Sequence, residues 1–144
     1  MDIVFTKISN EEHSVQVCRA DNSVEETKLN SRDFLRHDLA HLAIETEVPL
    51  QSGYWGLVAG GSSLSGSEMK GKELGVAESL AGRVQTLMRV EANVKQYENA
   101  LKEAQPYLAS ADLAQRIHER TRRFLGHWKA TGYGDSMHIE WPEN

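Results

Sequence analysis

Cysteine is almost absent from this sequence: Cys18 is the only one in 144 residues. A lone thiol can form neither an internal disulfide nor a cysteine-rich zinc site, so a reducing compartment is expected. Long apolar runs are missing as well. No window approaches 18 uninterrupted apolar residues, and the N-terminal MDIVFTKISNEEH has neither the basic start nor the apolar stretch of a secretory signal. A cytoplasmic protein with no membrane partner is the expectation. Positive charge is in deficit: 16 Lys and Arg against 21 Asp and Glu give a net charge of −5. That balance disfavours non-specific attraction to phosphate backbones, so nucleic acid is not an expected partner. A small molecule or a protein is, including a second copy of the chain as a homodimer.

The composition is otherwise that of a folded domain, with 40% hydrophobic and 26% charged residues. A chain of this length buries roughly two-thirds of the surface its unfolded form exposes, so a single domain over 1–144 is expected. Ile3, Phe5 and Lys7 alternate with Val4, Thr6 and Ile8. After the NEEH interruption, Val15, Val17 and Cys18 continue the pattern, which predicts a hairpin, with a third short strand at Val24 to Leu29. Asn30 and Ser31 suit an N-cap, and the spacing predicts a helix from about Arg32 to Glu47, ended by Pro49. Seven of the eleven glycines fall between Gly53 and Gly75, which argues for a long irregular connection there. Leu80, Val84, Leu87, Val94 and Leu101 predict one long helix over Val76 to Gln105. Leu113, Ile117, Phe124 and Trp128 predict another over Ala111 to Ala130, the two forming an antiparallel helical hairpin. Met137, Ile139 and Trp141 read as a final strand pairing with the N-terminal hairpin. The expected fold class is α+β: a small, mostly antiparallel sheet packed against about three helices.

The first of these helices carries RHDLAHLAIE, with ionisable groups where Leu or Ile would normally be buried. On a helical wheel, Phe34, His37, Asp38, His41 and Glu45 fall between the apolar flanks Leu35, Leu39 and Leu42 on one side and Ile44 and Val48 on the other. Arg36, Ala40, Ala43 and Glu47 point outward. His37, His41 and Glu45 are spaced i, i+4, i+8, so their tips can converge beside the helix. A buried carboxylate costs several kcal/mol unless it is paired, protonated or metal-bound. Three readings follow. His37, His41 and Glu45 hold a divalent metal, Zn, Fe or Mn, with Asp38 as catalytic base or as an orienting partner. Alternatively, the cluster performs metal-free acid/base chemistry, or it is a hydrogen-bonded polar core network in a structural or protein-interaction module.

The run HDLAH resembles the HExxH helix of zinc peptidases, which implies His37 and His41 as ligands, with the acid here at Asp38. It is also similar to the adjacent His-Asp pair of HD-domain phosphohydrolases, which implies His37 and Asp38 as metal ligands on an all-helical fold. HDLAH, Glu45, GYWGLVAGG and a tail like MHIEWP together resemble a group of small bacterial proteins to which no activity is attached. That resemblance implies that the helix and the GYWG turn belong together.

Tyr54 and Trp55 in that turn suit either a pocket mouth or aromatic anchors in the core. GSEMKGKE, Gly66 to Glu73, has the glycine and lysine register of a phosphate-binding loop, but Glu73 stands at the hydroxyl position and no strand precedes it; a solvated loop is the better reading. Arg116, Arg120, Arg123 and His127 form a basic stripe expected to pair with Glu91 and Glu98 across the helical hairpin, with anion binding as the other reading. His118 and His138 read as solvent-facing or strand-edge residues. No Ser or Cys lies in a nucleophile motif. The sequence therefore points to a metal-binding protein, with a metal-dependent hydrolase as its enzymatic form and the glycine-rich segment as a lid.

Overall fold

Strands with apolar residues at every second position bury one side only when they lie side by side over a second layer. The computed structural model describes residues 1–142, in which β1 (Asp2–Lys7), β2 (Glu12–Cys18) and β3 (Val24–Asn30) form an antiparallel meander. The C-terminal β4 (Ser136–Glu140) pairs antiparallel with the free edge of β1, giving the order β3-β2-β1-β4. Register stacks Ile3 between Val17 and Ile139, and Phe5 between Val15 and Met137. All six are buried and make the inward face of the sheet. The fold is the expected α+β arrangement, with the C-terminal strand paired as predicted.

Helix α1 (Ser31–Glu47) follows β3 directly, and the Asn30 side chain accepts the Arg32 and Asp33 amides as its cap. It packs against β2, β3 and three helices. That encirclement corrects the expected outward face, because Ala40 and Ala43 are fully buried while Phe34 is 44% exposed. Small alanine side chains let neighbouring elements approach on the side a wheel assigns to solvent.

Among the described residues the helical layer has five helices instead of about three. Within the glycine-rich segment lies α2 (Tyr54–Ala59), and the expected long helix is two, α3 (Lys72–Arg89) and α4 (Val94–Ala104). The break between them is built from the sequence. Glu91 adopts φ +52, the Glu91 and Ala92 amides donate to Met88 and Leu87 carbonyls, and Asn93 opens α4 with a reciprocal capping box to Gln96. Helix α5 (Ala111–Ala130), capped by Ser110, packs against α4 and α1. One continuous core joins the sheet, α1, Trp55, Leu80 and Val84 of α3, and Ile117 and Phe124 of α5. Among the described residues no helix is long and apolar enough to cross a membrane.

Candidate metal centre

Helices α1 and α3 run antiparallel, as their side-chain pairing requires: His37 meets Gln85 near the end of α3, and His41, one turn later, meets Glu78 near its start. His37 Nδ1 lies 3.2 Å from Gln85 Oε1, and His41 Nε2 lies 3.3 Å from Glu78 Oε1. The two imidazoles stand edge to face with centroids 4.7 Å apart. One donor atom each from His37, His41 and Glu78 lies within 4.8 Å of the others. Donors on a tetrahedral zinc lie about 3.4 Å apart, given bonds of about 2.1 Å. The Glu78 side chain is half exposed and so free to rotate inward, whereas His41 is fully buried.

Glu45 departs from the expected ligand ladder. Its carboxylate falls outside the group of His37, His41 and Glu78; it accepts three backbone hydrogens, from the amides of Tyr54 at 2.8 Å, Trp55 at 3.0 Å and Gly56 at 3.3 Å, and lies 2.9 Å from His41 Nδ1. The reason is the first turn of α2. Gly53 offers no side-chain cap, so the orphan amides there take Glu45 as their acceptor. Glu78 instead completes the group with His37 and His41. Little in the α3 sequence singles out Glu78; the available signal is that it and Gln85 lie two turns apart, beside the buried Ala77 and Ala81.

Asp38 is buried next to this group, and burial pushes its carboxyl up to about 7, with His41 opposing the rise and Glu78 adding to it. Burial also lowers His37, and His41 lowers it further, against the Gln85 hydrogen bond and Glu78. Tyr54 lies beside His41 with centroids 5.7 Å apart, and burial raises its phenol. The Tyr54 hydroxyl donates to Leu64 O, while Trp55 is fully buried and donates its indole N–H to Asp38 O, so Trp55 is a core anchor.

The glycine-rich segment is pinned to the sheet. Arg19 donates to the carbonyls of Val58 and Ser62, and Glu25 accepts from Ser63 and Leu64. Gly66 to Glu73 runs through turns into α3 with no preceding strand, and Glu73 accepts the Gln51 and Ser52 amides, so its carboxylate has a structural task. The arginine stripe also pairs differently from expectation. Arg116 and Arg120 both meet Glu47 of α1, at 3.1 and 2.8 Å. Glu98 is engaged by Lys95 and Lys102 on its own helix, and Glu91 lies in the turn before α4. Arg123 lies 6.0 Å from the centroid of the Phe124 ring. His118 is half-buried and bonds the Ala92 carbonyl, and His138 is exposed on β4.

Fold and site together define an α+β protein with a His/His/Glu group at metal-binding distance between two antiparallel helices. No family model, curated protein or solved structure matches the chain.

Proposed function

We propose that the protein binds a divalent transition metal through His37, His41 and Glu78 and uses it for hydrolysis. One observation carries this reading: His41 Nε2 is buried without a hydrogen-bond partner, yet it faces a carboxylate and a second imidazole. An unsatisfied buried nitrogen costs about 1–3 kcal/mol, and a metal ion would remove that cost. Two imidazoles and a carboxylate suit Zn²⁺, Fe²⁺ or Mn²⁺, and three protein ligands leave a position for water. The metal supplies Lewis acidity that brings bound water toward a neutral pKa. Asp38, its carboxyl raised to about 7, is placed to hold or take up a proton beside it. Grouping the chain with the small bacterial proteins that share HDLAH, Glu45 and GYWG accords with this reading, since Glu45 joins helix and turn. A cytoplasmic setting accords with the free Cys18.

A second reading rests on the same ring. His41 has carboxylates at both nitrogens, Glu45 at 2.9 Å and Glu78 at 3.3 Å, and would be the centre of a metal-free polar core. Elemental analysis and zinc titration of untagged protein separate the two. The metal reading expects one equivalent bound, with affinity lost in His41→Ala and lowered in Glu78→Gln. Metal-free protein that takes up no zinc, with a melting point unchanged by chelator, would establish the polar core. Asp38→Asn is expected to keep the metal and lose hydrolysis of an activated ester such as p-nitrophenyl acetate.

A further inference from the structure

We infer that Glu45 is a positioning residue: it fixes His41 as the Nδ1–H tautomer and thereby presents the Nε2 lone pair to His37 and Glu78. The use of that lone pair rests on the metal reading above; the tautomer itself does not. The argument is one of hydrogen count. Three backbone amides, those of Tyr54, Trp55 and Gly56, already donate to the Glu45 carboxylate. An oxygen collecting amide hydrogens cannot face a bare ring nitrogen at 2.9 Å, so Nδ1 brings the hydrogen. Nε2 is then the ring nitrogen turned toward Glu78, 3.3 Å away and without a hydrogen bond there.

Gly53 is part of the same device. A Cβ at this position would lie 2.3 Å from Glu45 Cδ and 2.6 Å from Oε1, so only glycine lets the turn close over the carboxylate. The GYWG segment therefore supplies the amides that hold Glu45, and Glu45 in turn holds His41. A carboxylate on the far nitrogen of a ligating imidazole also raises its basicity, and loss of such a partner typically costs 10–100-fold in metal affinity.

Long-range ¹H–¹⁵N correlation spectra of the metal-free full chain at neutral pH read the tautomer directly, with the His41 ring assigned by its disappearance in His41→Gln. The expected result is a protonated Nδ1 and an unprotonated Nε2 in the wild type. Glu45→Gln, which places an amide NH₂ against backbone donors, is expected to mix the tautomers and to weaken zinc binding 10–100-fold. Gly53→Ala, which crowds Glu45 without touching His41, is expected to do the same. A residue that merely supports the fold would lower the melting temperature and leave the ring nitrogens and the zinc affinity of folded protein unchanged, which would overturn the inference. So would an Nε2–H or doubly protonated His41 in the wild type, a result that needs no variant to fold. A wild-type Nδ1–H ring in a protein that takes up no zinc upholds the role of Glu45 and overturns the metal reading. Zinc uptake by a protein whose metal-free ring is Nε2–H does the reverse.

Discussion

His13 stands on the inward side of β2, opposite Leu29 of β3, where a hydrophobic residue would continue the line of Val15 and Val17. Its ring is fully buried, with Nδ1 2.8 Å from Ser31 Oγ and the Trp128 ring edge-on at 5.8 Å. Burial without a carboxylate partner penalises the charged form and lowers its pKa from 6.5 to about 4. The sign follows from proton counting. Between pH 6.5 and 4 the unfolded chain binds a proton at this position that the folded chain does not, so stability falls as pH is lowered through that window. Above 6.5 both states are neutral and the contribution is constant. Urea unfolding at pH 7 and pH 4.5 is expected to show a loss in the wild type exceeding that in His13→Gln by on the order of 2 kcal/mol. Equal losses in the two proteins would show that His13 is not the titrating group.

At the scale of elements, the turn between α3 and α4 sets where α4 lies against α5. Glu91 occupies the left-handed position of a Schellman-type ending, one that favours glycine because it carries no Cβ. Glu91→Gly is expected to raise stability by about 0.5–1 kcal/mol, and Asn93→Ala, which removes the capping box, to lower it by about 1 kcal/mol. Chemical denaturation of the two variants checks both directions. The reverse order would mean that the Glu91 side chain contributes more than its backbone costs. This turn also shows why part of the fold was hidden in the sequence. Leu80, Val84, Leu87, Val94 and Leu101 keep helical spacing across the break, so periodicity alone continues through Val90 to Asn93, where only Asn93 and Gln96 signal a new start. Helix α2 was hidden for a different reason: its N-terminal acceptor, Glu45, comes from another element. By contrast, Asn30 as cap, Pro49 as stop and the alternation of Ile3 and Phe5 are local signals, and those boundaries were legible. The same division holds in the site. The His37 and His41 pair lies within one helix and was readable from spacing, whereas the places of Glu78 and Glu45 depend on how α1 meets α3 and α2. The Arg116 and Arg120 partner, Glu47, was equally out of reach of a two-helix pattern.

In the whole molecule α1 is the hub. Glu45 ties it to α2, Glu47 ties it to α5 through Arg116 and Arg120, and His37 and His41 face α3. The first link is made of backbone amides donating to a carboxylate, the second of two arginines on one carboxylate. At the α3 link His41 Nε2 has no hydrogen-bond partner although the Glu78 carboxylate lies 3.3 Å away, so an ion placed between them would join the two helices. A metal bridging His37 and His41 to Glu78 would bind only when α1 and α3 are docked, since the unfolded chain separates these residues. Ligand that binds the native state alone stabilises it by mass action, about 2.7 kcal/mol at a free concentration 100 times the Kd. For a chain of this size that corresponds to a rise of roughly 5–10 °C in melting temperature. Thermal unfolding followed across a zinc series is expected to show this rise in the wild type, its reversal by chelator, a smaller rise in Glu78→Gln and none in His41→Ala. A melting temperature independent of zinc in all three would mean that α1 and α3 are joined by packing and hydrogen bonds alone.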